Sequence, residues 1–136
     1  MEALVRVKAL YMGLAAAGLW ATAAVAHHSF AMFDTSKTIT LKGTVKEYEW
    51  TNPHSWLRVM LPDQASGKQL QWALEMSSPA RQATLGMTPD TVRPGDVVTV
   101  TFHPLKDGSR GGQFIQAILP NGKAAVRGER GGVPAE

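Results

Sequence analysis

Leu70, Trp72, Leu74 and Met76 alternate with Gln69, Gln71, Ala73 and Glu75. An apolar residue at every second position is what a strand with one buried face requires, because successive side chains point to opposite faces of a sheet. The run is cut off by Ser77-Ser78-Pro79, a helix N-cap followed by proline where its missing N–H does no harm, and Gly86 supplies the matching stop. One helix of about two turns fits between them. A chain that passes from an alternating strand through one short helix into further alternation is restricted to few architectures.

The rest of the chain keeps the two-residue period. Ile39, Leu41, Gly43 and Val45 alternate with Thr38, Thr40, Lys42 and Thr44, and the glycine inside this strand suggests a bend of the kind closed sheets need. Tyr48 and Trp50 fall on the opposite parity to Val45, so either a bulge intervenes near Lys46 or these aromatics line the other face. Thr51-Asn52-Pro53 ends the pattern, since proline has no N–H for a ladder. Leu57, Val59 and Leu61 mark a second strand, and a loop from Pro62 and Asp63 to Gly67 leads to the third. Arg93-Pro94-Gly95-Asp96 places Pro and Gly at the centre of a type II turn, Val98, Val100 and Phe102 mark a fourth strand, and residues 114–119 a fifth. Pro120-Asn121-Gly122 is a tight turn, and residues 124–136, Gly-rich with mixed charge, read as a disordered tail. The expected fold is therefore all-β: a five-stranded OB-like barrel over residues 38–123, with one short helix between strands 3 and 4. An immunoglobulin-like sandwich needs about seven strands and no helix.

Residues 1–26 read as a cleaved secretory signal peptide. Arg6 and Lys8 precede an uncharged apolar stretch that closes on Ala24-Val25-Ala26, the small-x-small pattern accepted by signal peptidase, a pattern that Ala21-Thr22-Ala23 and Thr22-Ala23-Ala24 also fit. The apolar run is only about as long as a minimal membrane span and is rich in Ala and Gly, so no stable span is expected after cleavage. His27 then becomes the first residue of a periplasmic or secreted protein, and residues 27–37 form a leader. What remains is about 110 residues, one domain with one core. Without Arg6, Lys8 and Glu2 the chain keeps twelve basic and ten acidic residues, a balance that calls for no polyanion. There is no cysteine, which excludes disulfides, thiolate zinc sites and thiol catalysis.

The histidines are the most informative polar residues. A free N-terminal His27 offers its α-amine and ring Nδ1 to one ion, and a second imidazole completes a T-shaped set of three nitrogens, a geometry that suits Cu(II). His28 is the neighbouring donor, and His54, behind Pro53 in the loop after the first strand, is the expected third ligand. The competing uses are plain: a polar leader for His27 and His28, a backbone-capping turn residue for His54, and a solvent-side strand end for His103. Tyr48, Trp50 and Trp56 concentrate aromatic area on the first two strands, and Trp72 adds to it from the third; on an OB-like barrel such a surface serves to stack a glycan or hold a protein, and the alternative use of the same rings is core filling. Nucleic acid is not expected, since no basic stripe flanks the aromatics. Glu47 and Glu49 share a strand face but no nucleophile or oxyanion motif accompanies them, and Ser29, Ser77 and Ser78 lack a nucleophile-elbow context, so the expectation is a non-enzymatic binding module for a small ligand or a protein, with copper as its one expected cofactor.

Several motifs carry a family likeness: His27-His28-Ser29-Phe30; Leu41-Lys42-Gly43-Thr44-Val45 running into Glu49-Trp50-Thr51-Asn52-Pro53-His54; Trp72-Ala73-Leu74-Glu75; Ser78-Pro79; Arg93-Pro94-Gly95-Asp96-Val97-Val98-Thr99-Val100; and Leu119-Pro120-Asn121-Gly122. In these the chain resembles a family of small exported bacterial proteins of unknown function. The resemblance implies an exported OB-like barrel and supplies no ligand. A looser similarity, resting on His27, links it to exported copper proteins whose mature chains begin with histidine.

Overall fold

The computed structural model describes residues 31–127. Strand β1 (Ile39–Glu49) is the longest and is shared between two neighbours. Its first half pairs antiparallel with β4 (Val97–Pro104), from Ile39 opposite Phe102 to Thr44 opposite Val97. Its second half pairs with β2 (Trp56–Pro62), from Thr44 opposite Met60 to Glu49 opposite Trp56. One strand can serve both partners only by bending, and Gly43 sits at the changeover. A Cβ there would overlap the carbonyl oxygen of Met60 and lie 2.6 Å from Leu61 Cδ2, so only glycine lets the strands approach.

The remaining strands close the barrel. β2 runs antiparallel to β3 (Gln69–Glu75), and β4 to β5 (Gly111–Ile118). β3 then meets β5 in parallel, with Ala73 opposite Gly111, Leu74 opposite Gly112 and Glu75 opposite Gln113. The circuit β1–β2–β3–β5–β4–β1 is that of a five-stranded OB-like barrel. The single helix, α1 (Pro79–Ala83), lies between β3 and β4 as the Ser-Ser-Pro signature requires. Ser78 is its N-cap and accepts a hydrogen bond from the Arg81 N–H at 3.3 Å, while Pro79 opens the first turn. It is shorter than the two turns expected, because the chain already turns out at Leu85 and Gly86, where Gly86 adopts a φ of 79°.

Two further expectations meet the structure at specific places. The register shifts between Val45 and Glu47, so a bulge lies at Lys46 and returns Tyr48 to the core side, opposite Leu57. The bulge is held from outside, for the Val45 N–H donates to Asp96 O and the Gly95 N–H donates to Val45 O, both at 2.8 Å. Gly95 has the positive φ that a type II turn requires at its third position, and the Asp96 N–H closes that turn on Arg93 O. The chain from Ala124, expected to leave the sheet, instead adds β6 (Ala124–Val126) beside β5. The turn at Asn121 and Gly122 sends the chain back antiparallel, and Ala125 is small enough to be buried there.

Side chains from every long strand fill the interior: Val45 from β1, Leu57, Val59 and Leu61 from β2, Leu74 from β3, Val98, Val100 and Phe102 from β4, Phe114 and Ala117 from β5. Each large one contributes about 1.5–3 kcal/mol by leaving water. Met76, Met87 and Val92, from the segment between β3 and β4, join the same core, and Trp72 leans on Phe102 with ring centroids 5.3 Å apart. Phe33 is buried, bridging to Leu105 beyond the end of β4.

Candidate functional site

The alternation that buries Leu57, Val59 and Leu74 puts Trp56, Arg58 and Ala73 on the other face of β2 and β3 together with Glu75, which is itself buried there, a face flanked by the β1–β2 and β4–β5 loops. His54 stands at the end of the β1–β2 loop, beyond the cis bond between Asn52 and Pro53. Its backbone carbonyl accepts from Thr51 Oγ1 at 3.1 Å, and its ring Nδ1 lies 2.5 Å from Glu75 Oε1. The Glu75 carboxylate is almost wholly buried, while the imidazole remains over a third exposed. This contact fixes the ring through Nδ1 and leaves Nε2 as the nitrogen available to a ligand. A carboxylate bound to the far nitrogen is the usual support of a metal-ligating histidine, because it sets the tautomer and raises ring basicity.

His27 and His28 lie outside the described residues. Among the described residues no group of three or more His, Cys, Asp or Glu side chains is gathered as a metal cluster. His103 donates from Nδ1 to the Lys37 carbonyl at 2.7 Å, which ties β4 to the segment before β1.

The three aromatics divide between two environments. Tyr48 and Trp50 meet edge to face, with centroids 5.8 Å apart, and both pack on the core. The Tyr48 hydroxyl donates to Gln82 Oε1 at 2.8 Å, and burial raises its pKa well above the ordinary value. Gln82, fully buried in α1, uses its amide to donate to Ser77 O at 2.8 Å, so both ends of that side chain are satisfied. Trp56 stands on the outer face, half-exposed, beside Arg58.

The charged residues of this face interlock. Arg58 Nε lies 2.5 Å from Glu49 Oε1 and 3.5 Å from Glu47 Oε2, and Lys46 Nζ donates to Gln71 Oε1 at 2.7 Å. A groove of about 450 Å³ opens here, lined by Arg58, Gln71 and Ala73 from the sheet and by Gly108, Ser109 and Arg110 from the β4–β5 loop. The sequence puts Gln71 and Glu75 on the polar side of the β3 alternation and singles out neither Arg58 nor Arg110. The only local signal at Arg58, Gln71 and Glu75 is parity on alternating strands, which many solvent residues share, and Arg110 lies in a loop outside any strand.

The family model described as a family of unknown function (DUF6152) matches residues 16–114. The chain belongs to DUF6152. No curated protein and no solved structure matches it. The match runs from before His27 through the groove loop to Phe114, so it includes every residue placed above in the DUF6152 barrel's outer face. No helix among the described residues is long and apolar enough to cross a membrane.

Proposed function

We propose that this chain is exported and works as a small Cu(II)-binding module, with His27 as the anchoring chelate, His28 beside it and His54 as the imidazole supplied by the barrel. The fold supports a binding role in general: a small OB-like barrel with an exposed, polar outer face. The observation that favours the metal is the His54–Glu75 contact, since a buried carboxylate holding Nδ1 presents Nε2 ready to ligate. For a nitrogen-donor site of this kind, Cu(II) stands at the top of the divalent affinity order. Protons compete for the same nitrogens, so binding weakens as pH falls.

Calorimetric titration of the chain beginning at His27 with Cu(II) gives a one-to-one isotherm in this reading. Extending that terminus by one alanine removes most of the binding, and His54→Ala weakens it. Equal affinity of the native and extended termini overturns the reading. The aromatic alternative, a protein or glycan held by Tyr48, Trp50 and Trp56, rests on Trp56 for its outward surface, since the Tyr48 hydroxyl is committed to Gln82.

A further inference from the structure

The groove between the sheet and the β4–β5 loop is a site of its own, independent of the copper reading. Its floor is Ala73, which faces Arg58 across the β2–β3 ladder and Gly111 across the β3–β5 ladder. The single methyl of Ala73 leaves the depression, and its walls are polar.

The free valences in those walls are nearly all donors. Arg58 approaches Glu49 and Glu47 through Nε, and among the described residues its two terminal nitrogens donate no hydrogen bond. The Arg110 guanidinium likewise forms no hydrogen bond or ion pair among the described residues; the backbone carbonyl of Arg110, by contrast, accepts from the Ala73 N–H at 3.3 Å and holds the loop to the floor. Lys46 occupies Gln71 Oε1, which orients that amide so that its NH2 is the end left to donate. Ser109 donates its hydroxyl to Asp107 Oδ1 at 2.6 Å and keeps only accepting capacity. None of the lining residues is acidic. The nearest acids are already engaged: Glu47 and Glu49 on Arg58 Nε, Asp107 on Ser109, and Asp63, which feels the Arg110 charge, on Ser66.

We infer that this groove binds a small organic carboxylate of about the size of a sugar acid, gripped between the terminal nitrogens of Arg58 and the guanidinium of Arg110, with the Gln71 amide as a further donor. Planar guanidinium forks match a carboxylate in two parallel hydrogen bonds. The volume falls in the range of small-ligand pockets and greatly exceeds what a lone inorganic ion fills, so a ligand body rests over Ala73.

The test uses the full chain labelled with 15N and titrated with sodium glucuronate, glucose and inorganic phosphate. Glucuronate is expected to give saturable shifts centred on the amides of Ala73 and residues 108–111, with glucose giving none. Arg110→Ala, which leaves the backbone bond to Ala73 in place, should raise the glucuronate Kd about tenfold or more. Arg93→Ala, removing an exposed arginine elsewhere, should leave it unchanged. Absence of saturation, equal binding of glucose, tighter binding of phosphate than of glucuronate, or equal weakening by Arg93→Ala each overturns the assignment.

Discussion

The Tyr48 hydroxyl reaches from β1 to Gln82 in α1 and donates at 2.8 Å, so the helix is fastened to the longest strand by one partly buried hydrogen bond. The bond exists because the bulge at Lys46 turns Tyr48 inward. Without that extra residue the phenol would face solvent and Gln82 would be left with a buried, unpaired carbonyl.

Tyr48→Phe should therefore destabilise the protein by about 1–3 kcal/mol, the cost of stranding a buried acceptor, read from the urea midpoint. The pH dependence has a fixed sign. Burial raises the folded-state pKa of Tyr48 above its ordinary 10.0, so its contribution is complete below pH 10.0 and is lost as pH rises toward the folded-state value. In a chain starting at His27, Tyr48 is the sole tyrosine, so tyrosinate absorbance reports it directly. Parallel stability curves for parent and variant through this alkaline range would show that the hydroxyl titrates as if exposed.

Gly43→Ala and Gly67→Ala separate two reasons for glycine. At Gly43 the new methyl collides with the Met60 carbonyl and Leu61, whereas at Gly67 the space is open and only the φ of 68° is unfavourable. Gly67→Ala should cost about 1–2 kcal/mol, the usual penalty of a left-handed alanine. Gly43→Ala should cost more, with loss of β1–β2 pairing by amide exchange. A reversed order of the two would show that β1 does not bend at that position.

Trp50→Ala should lower stability by about 2 kcal/mol, since its ring packs on Tyr48 and the core, and Trp56→Ala by distinctly less. Matched thermal melts of the two variants decide it; a larger loss for Trp56 would place that ring in the core.

Ser66→Ala should raise the Asp63 pKa toward the ordinary 3.8. The Ser66 hydroxyl is the main cause of the lowered value, with the Ser66 N–H second. Because the folded-state value is depressed, this contribution to stability is present above pH 3.8 and fades as pH falls through the folded-state pKa. Carboxyl 13C titration follows Asp63 itself, and an unchanged midpoint would mean that Ser66 does not hold the carboxylate in solution.

Much of this architecture was legible because it is local. Alternation found all five long strands, Ser78 and Pro79 found the helix start, and the parity break between Val45 and Tyr48 offered a bulge at Lys46 as one of two readings. Closure was not legible, for the pairing of Ala73 with Gly111 joins segments distant in sequence and leaves no periodic mark. β6 escaped notice because three residues are too few to show a period. The same limit governed the site: His54 stood out by its residue type, but its partner Glu75 is brought to it only by the β2–β3 register, which places Glu75 opposite Trp56. Arg110 lies in a loop where nothing local separates it from any other exposed arginine.

The parallel meeting of β3 and β5 has a mechanical consequence. Ala73 and Glu75 both belong to it, so the groove and the histidine's carboxylate lie along the line where the cylinder is zipped shut. A molecule gripping Arg58 on one bank and Arg110 on the other is a clasp across that line. Parting the two strands would first require its release, and protection of the Ala73 amide against exchange should rise with occupancy.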